Sequence, residues 1–150
     1  MELTIQYNEL YQRTQLSAWK IGEMIPEAEN RKKYMVQSIG DDESYLKEHL
    51  FIEILQGMNR HLSGYLGGIS RSGDDYVLTF AVPAEWESGN AGALKGKIYD
   101  YVSQMALAQW LEDVMPEVSN LKRINADALL VEVKAIVAYR NTPPKIVGFI

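Results

Sequence analysis

The apolar positions change period along the chain, and each change marks an element. Leu3, Ile5 and Tyr7 alternate with Glu2, Thr4 and Gln6, the period of a half-buried strand, and so short a terminal run suits a sheet edge. From Asn8, a residue type that caps helix N-termini, Leu10, Tyr11, Thr14, Ala18 and Ile21 recur at helical spacing until Gly22 and Pro26 close the run. Residues 27–40 carry a small apolar cluster, Tyr34, Met35, Val36 and Ile39, without a firm period. They read as a loop with some helical turns. Asp41, Asp42 and Glu43 then place negative charge where the unpaired amides and dipole of a helix N-terminus attract it. In the long helix that follows, Tyr45, His49, Ile52, Leu55, Asn59 and Leu62 line one stripe, and Leu46, Leu50, Ile54, Met58 and Tyr65 line its neighbour. So wide an apolar arc predicts a central position for this helix, with an end at Gly64 or at Gly67 and Gly68.

The tract from Ile69 to Asp75 reads as turns. Tyr76, Val77, Leu78, Thr79, Phe80, Ala81 and Val82 then form the strongest strand signal in the chain, stopped by Pro83, which cannot donate to a ladder. A lone strand leaves its backbone groups unpaired, so it must find a partner in the N-terminal segment, the C-terminal tail or a neighbouring subunit. Residues 85–92 read as a loop. Beyond it Leu94, Ile98, Tyr101, Met105 and Ala108 form a helical stripe broadened by Val102, Leu107, Trp110, Leu111 and Val114. From Met105 to Leu111 the pattern is apolar nearly all round, which predicts cover on more than one side. Pro116 suits the first turn of another helix. Between Glu117 and Arg140, Val131, Val133, Ala135, Val137 and Tyr139 alternate as a strand would, while Leu121, Ala128, Leu129, Val133, Ile136 and Val137 fit a helix. The alanines favour the helix. Thr142, Pro143 and Pro144 end it in an extended conformation, leaving the apolar tail Ile146, Val147, Gly148, Phe149 and Ile150.

These elements predict a mainly α fold, a bundle of about four helices with a small β-ribbon or a single added strand. With no internal repeat or linker, residues 1–150 read as a single helical domain with an extended N-terminal segment and a C-terminal tail. A chain of 150 residues can hide roughly 68–70% of its unfolded surface. With 47% hydrophobic and 23% charged residues it has the composition of a globular protein, and no apolar run approaches the roughly 18–20 residues of a membrane span. The first ten residues carry neither a basic stretch nor an apolar one, so cytoplasmic synthesis is expected. The absence of cysteine removes disulfides, thiol nucleophiles and thiolate metal sites. A net charge of −5 repels phosphate backbones. The basic runs are short, and Arg31 to Lys33 and the pair Lys95 and Lys97 suit solvated surface better than a nucleic-acid stripe, so any such contact is expected to be incidental.

Candidate chemistry fails residue by residue. A carboxylate-bridged metal centre needs Glu three positions before His, and Leu46 and Met58 stand there. His49 and Glu53, one helical turn apart, suit a surface ion pair. Gly92 and Gly96 stand closer together than the glycines of a P-loop, and Ile98 replaces its hydroxyl. The glycines between Gly64 and Gly73 follow a helix rather than a strand, unlike a dinucleotide fingerprint. Ser63 and Ser70 lie near His61 without a nucleophile elbow, and the acidic cluster lacks calcium-loop spacing. Trp86 is a semi-exposed loop aromatic, equally suited to a partner contact or a lid on the core. No catalytic, cofactor or metal residue is expected, nor a small-molecule substrate.

The strand from Tyr76 to Pro83, the helix carrying Tyr99, Tyr101 and Trp110, the second helix after it and the ending Arg140, Pro143, Pro144 cover residues 75–150. In this spacing the chain resembles a family of small structural proteins of phages and prophages of Bacteroidetes hosts. The tail departs from that pattern in being less basic, with Lys145 alone after the prolines. The resemblance implies a virion subunit at the neck, head–tail connector or tail-completion position, made in the host cytoplasm and assembled as a ring. Its partners would be copies of itself and a portal, tail or adaptor protein. The residues expected to make those contacts are Tyr76, Val77, Leu78, Phe80 and Val82 on the strand, Trp86 in the loop, and Pro143, Pro144, Ile146, Val147, Phe149 and Ile150 in the tail. A generic interaction or regulatory module is the alternative. A small ligand-binding domain, with a pocket enclosing His49, His61 or buried tyrosines, is a third.

Overall fold

The strong strand finds both of its neighbours within its own chain. In the computed structural model, which describes residues 1–62, 64–83, 86 and 89–138, three strands form one antiparallel sheet in the order β1–β3–β2. They are β1 (Glu2–Ile5), β2 (Leu66–Ser72) and β3 (Asp75–Phe80). β1 pairs from Glu2 opposite Thr79 to Ile5 opposite Tyr76, and β2 pairs from Leu66 opposite Phe80 to Ser72 opposite Asp75, with an irregularity at Gly67. The alternation in the sequence sorts the faces. Leu3, Ile5, Tyr76, Leu78 and Phe80 are buried, whereas Glu2, Thr4 and Thr79 lie in water. Each such buried side chain contributes about 1.5–3 kcal/mol of transfer free energy.

Two expectations change here. The tract read as turns from Ile69 to Asp75 is mostly β2, and only Gly73 and Asp74 turn the chain between the paired Ser72 and Asp75. Gly73 takes φ +62°, which glycine supplies at the first position of a tight hairpin turn. Glycine and serine are weak strand formers, so β2 exists because β3 offers it a ladder; strand preference depends on context. The partner that β3 required is therefore internal on both sides.

Among the described residues five helices surround the sheet: α1 (Tyr7–Glu23), α2 (Asn30–Gln37), α3, α4 (Asn90–Leu111) and α5 (Pro116–Ala138). α3 is one continuous run, α-helical over Glu43–Tyr45, π-helical over Leu46–Leu50 and α-helical over Phe51–His61. The mainly helical class with a small β element is what the apolar periods indicate, and α5 resolves the undecided segment 117–140 as helix through Ala138. Asp42 caps α3 by accepting from the Tyr45 amide at 3.0 Å. Gly64, with φ +90°, breaks the chain direction beyond it. Residues 27–40 are more regular than a loop, since α2 sits between 3₁₀ turns at Glu27–Glu29 and Ser38–Asp41.

Asn8 does not cap α1. The helix begins at Tyr7, whose amide donates to Asp75 Oδ1 at 3.0 Å, while the preceding Gln6 amide donates to the Tyr99 hydroxyl at 2.8 Å. The cap thus comes from β3, and no local pattern could reveal it. The central position also falls to α4 rather than α3. α4 packs on α1, α3, α5 and β1, and Leu94, Ile98, Val102, Ala106, Leu107 and Leu111 are fully enclosed. That explains its all-round apolar stretch. α5 lies against α4, tied by Ser119 Oγ donating to the Ala108 carbonyl at 2.6 Å and by Lys97 paired with Glu132 at 2.8 Å.

Asp75→Ala removes the oxygen that caps α1, and unfolding in urea should show about 1 kcal/mol less stability. An unchanged midpoint would mean that water serves the Tyr7 amide equally well.

Candidate interaction surfaces

The residues expected to meet a partner separate into three groups. Tyr76, Leu78 and Phe80 belong to the core of their own domain, at 2% exposure or less, with Val77 and Val82 half-buried. With β1 and β2 on either side, β3 has no free edge, and Tyr76, Leu78 and Phe80 are corrected from contact residues to interior ones, while Val77 and Val82 keep part of their surface in water. Trp86 is half-buried, and its indole Nε1–H donates to the Ile136 carbonyl at 2.8 Å. It fastens the segment before α4 to α5, which favours the lid over the free contact. Pro143, Pro144, Ile146, Val147, Phe149 and Ile150 lie outside the described residues.

The polar chemistry is dispersed. His49 lies in the π-helical part of α3 with its ring 6.0 Å from that of Tyr45, and among the described residues no ion pair joins it to Glu53. His61 lines an open concavity of about 430 Å³ together with Glu53, Gly57, Arg60, Tyr101 and Gln109. No hydrogen bond joins any two of these side chains among the described residues. No group of three metal-ligating side chains occurs among the described residues.

The buried tyrosines are held neutral. Burial raises the Tyr76 phenol far above its ordinary range, only partly opposed by Arg71, whose guanidinium lies 4.7 Å from the ring centre. Its hydroxyl donates to the Lys47 carbonyl at 2.7 Å. Burial raises Tyr7 as strongly, aided by the Glu43 carboxylate that accepts from its hydroxyl at 3.2 Å. Burial also raises Tyr99 and Tyr101, the latter aided by Asp127. A phenol that stays protonated is no general base at neutral pH, and Tyr7, Tyr76 and Tyr99 use their hydroxyls in hydrogen bonds that tie elements together.

The fold also leaves large apolar side chains in water. On α1, Leu16 and Trp19 lie opposite the buried stripe of Tyr7, Leu10, Thr14 and Ala18, at 55% and 52% exposure. Met24, Tyr34 and Met35 are exposed at the end of α1 and on α2. On α5 the buried side chains Ser119, Ala126, Val133 and Val137 face α4. The opposite face carries Leu121, Ile124 and Val131 at 60%, 55% and 70% exposure, with the exposed Ala128 and Ala135 completing the stripe. Single exposed apolar residues are ordinary on a protein surface, whereas an aligned row of them marks a contact face. The sequence carries this signal in the alternating three- and four-residue spacing from Leu121 to Ala135. It becomes readable only once the segment is helix and its other face is occupied.

Compared with protein-family models, with curated proteins and with solved structures, the chain finds no match.

Because the folded phenols bind their protons more tightly than unfolded ones, their contribution to stability is complete below the unfolded value of about 10 and falls as pH rises above it. The thermal midpoint should be level from about pH 8 to 9.5 and drop beyond about pH 10. Replacing Tyr101, which makes no hydrogen bond in the described structure, with Phe should lessen that drop. A drop of equal size in the variant would assign the effect to other groups.

Proposed function

We propose that this chain is a structural subunit that works through contacts with other protein chains and carries out no reaction of its own. The observation behind this reading is the placement of large apolar side chains in water on α1 and α2 and on the outer face of α5. A subunit of a larger assembly needs more than one such face, because each further kind of neighbour takes a further surface. An enzyme instead needs convergent polar groups, and the dispersed histidines and neutral phenols described above do not supply them.

The resemblance of residues 75–150 to small structural proteins of Bacteroidetes phages suggests the setting: a virion neck, head–tail connector or tail-completion ring, with copies of the chain and a portal, tail or adaptor protein as neighbours. In this reading docking falls to the helical faces, since β3 is filled on both sides, with the tail from Pro143 to Ile150 as a further contact. A regulatory or adaptor module would use the same surfaces but needs only one of them.

Native mass spectrometry over a range of concentrations, on the full chain and on a chain ending at Thr142, separates these readings. Assemblies of more than two copies, weakened by the truncation, are expected. A chain that stops at a dimer or remains monomeric at every concentration overturns the ring.

A further inference from the structure

α5 offers more than an apolar face, because its flanks carry charge in a self-complementary order. Leu121, Ile124, Ala128, Val131, Ala135 and Ala138 alternate three and four residues apart, the spacing that keeps one seam of a helix facing another. All but the half-buried Ala138 are exposed, and the seam runs about 26 Å along the helix. On one flank stand Asp127 and Lys134, both exposed and neither in an ion pair among the described residues. They lie two turns apart with opposite sign. On the other flank stand Asn125 and Glu132.

We propose that this face pairs with the same face of a second copy of the chain, antiparallel, in the register that sets Asp127 against the second copy's Lys134 and Lys134 against its Asp127. This rests on the reading of the protein as an assembly subunit and names one of its contacts. A two-fold axis perpendicular to two antiparallel helices carries each flank onto itself, so a residue meets a partner from its own flank. In this register the seam also fits by size. Leu121 meets the second copy's Ala138, Ile124 meets Ala135, and Val131 meets Ala128, so each large side chain faces a methyl group and the helices can approach closely. Asn125 falls opposite Glu132. Sliding the pair by one heptad, so that Leu121 faces Val131, sets Asp127 against Asp127 and is disfavoured. The ion pairs are exposed and add little affinity, but they select the register, as charges at contact edges do. An isologous contact closes at two copies, so any larger ring must use a different face.

The test is a charge exchange followed by sedimentation velocity over a range of concentrations. The wild-type chain should dimerise. Asp127→Lys and Lys134→Asp each replace two attractive pairs with two repulsive ones, and each should weaken self-association by about ten-fold. An equal mixture of the two variants should recover the dimer, because each of the two charged pairs across the mixed interface then joins a lysine of one chain to an aspartate of the other, and attraction replaces repulsion at both ends of the seam. Both positions are exposed, and circular dichroism checks that the variants keep their helices. Val131→Glu should abolish the dimer in every background. A dimer indifferent to these changes, or variants that the mixture does not rescue, overturns the register. A wild-type monomer overturns the pairing, and if the chain ending at Thr142 then dimerises, the tail is the occupant of this face. Loss of higher assemblies with a rescued α5 dimer would instead overturn the ring and leave this contact standing.

Discussion

Everything in this domain is arranged around the two-sided pairing of β3. A strand whose residues alternate strictly between core and solvent cannot shift by one position without turning Tyr76, Leu78 and Phe80 outward, so the register is held by burial as well as by the ladder. From that register the rest follows. Asp75 is placed to cap α1 across the sheet, and the Tyr76 hydroxyl reaches the backbone of α3. The antiparallel β1 brings the start of α1 to Tyr99 on α4. Three helices are therefore located by contacts that begin on or beside one strand.

α4 is the second organising element. Its apolar residues are spread around most of its circumference, so it can be satisfied only when covered on several sides, and α1, α3 and α5 provide that cover. The helices that cover it cannot all be covered in turn. α5 packs chiefly on α4 through a stripe of small and branched side chains, Ser119, Ala126, Val133 and Val137, and its far side is left with Leu121, Ile124 and Val131. α1 likewise keeps Leu16 and Trp19 outside. Exposed apolar surface of this kind is the physical reason to read the protein as a subunit. It is unfavourable in water, and a second chain can remove it.

The exposed apolar faces that carry the proposed contacts lie in a different place from where the strand pattern points. A strong β signal with no obvious partner suggests docking through residues 76–82. Its hidden partner is β2, a run of glycine, serine and one arginine around Ile69 that has little strand character by itself. Trp86 suits lid and contact equally as a loop aromatic, and the indole hydrogen bond to Ile136 decides for the lid. The outer face of α5 is present as a spacing but concealed by the competing alternation of valines and alanines from Val131 to Val137, which suits a strand equally well.

What the sequence determined by itself was local: the helical periods of α1, α3 and α4, the acidic cap at Asp42, the proline that opens α5, and the mainly helical class, all set by interactions within a few residues of chain. It also ruled out thiol chemistry and placed no metal-binding or phosphate-cradling motif. What only the tertiary structure decided was which apolar stripes would be used up inside the domain. That choice depends on long-range partners: β2 for β3, Asp75 for α1, and α4 for the inner side of α5. A stripe is core or contact according to what lies opposite it, and no sequence window contains both sides.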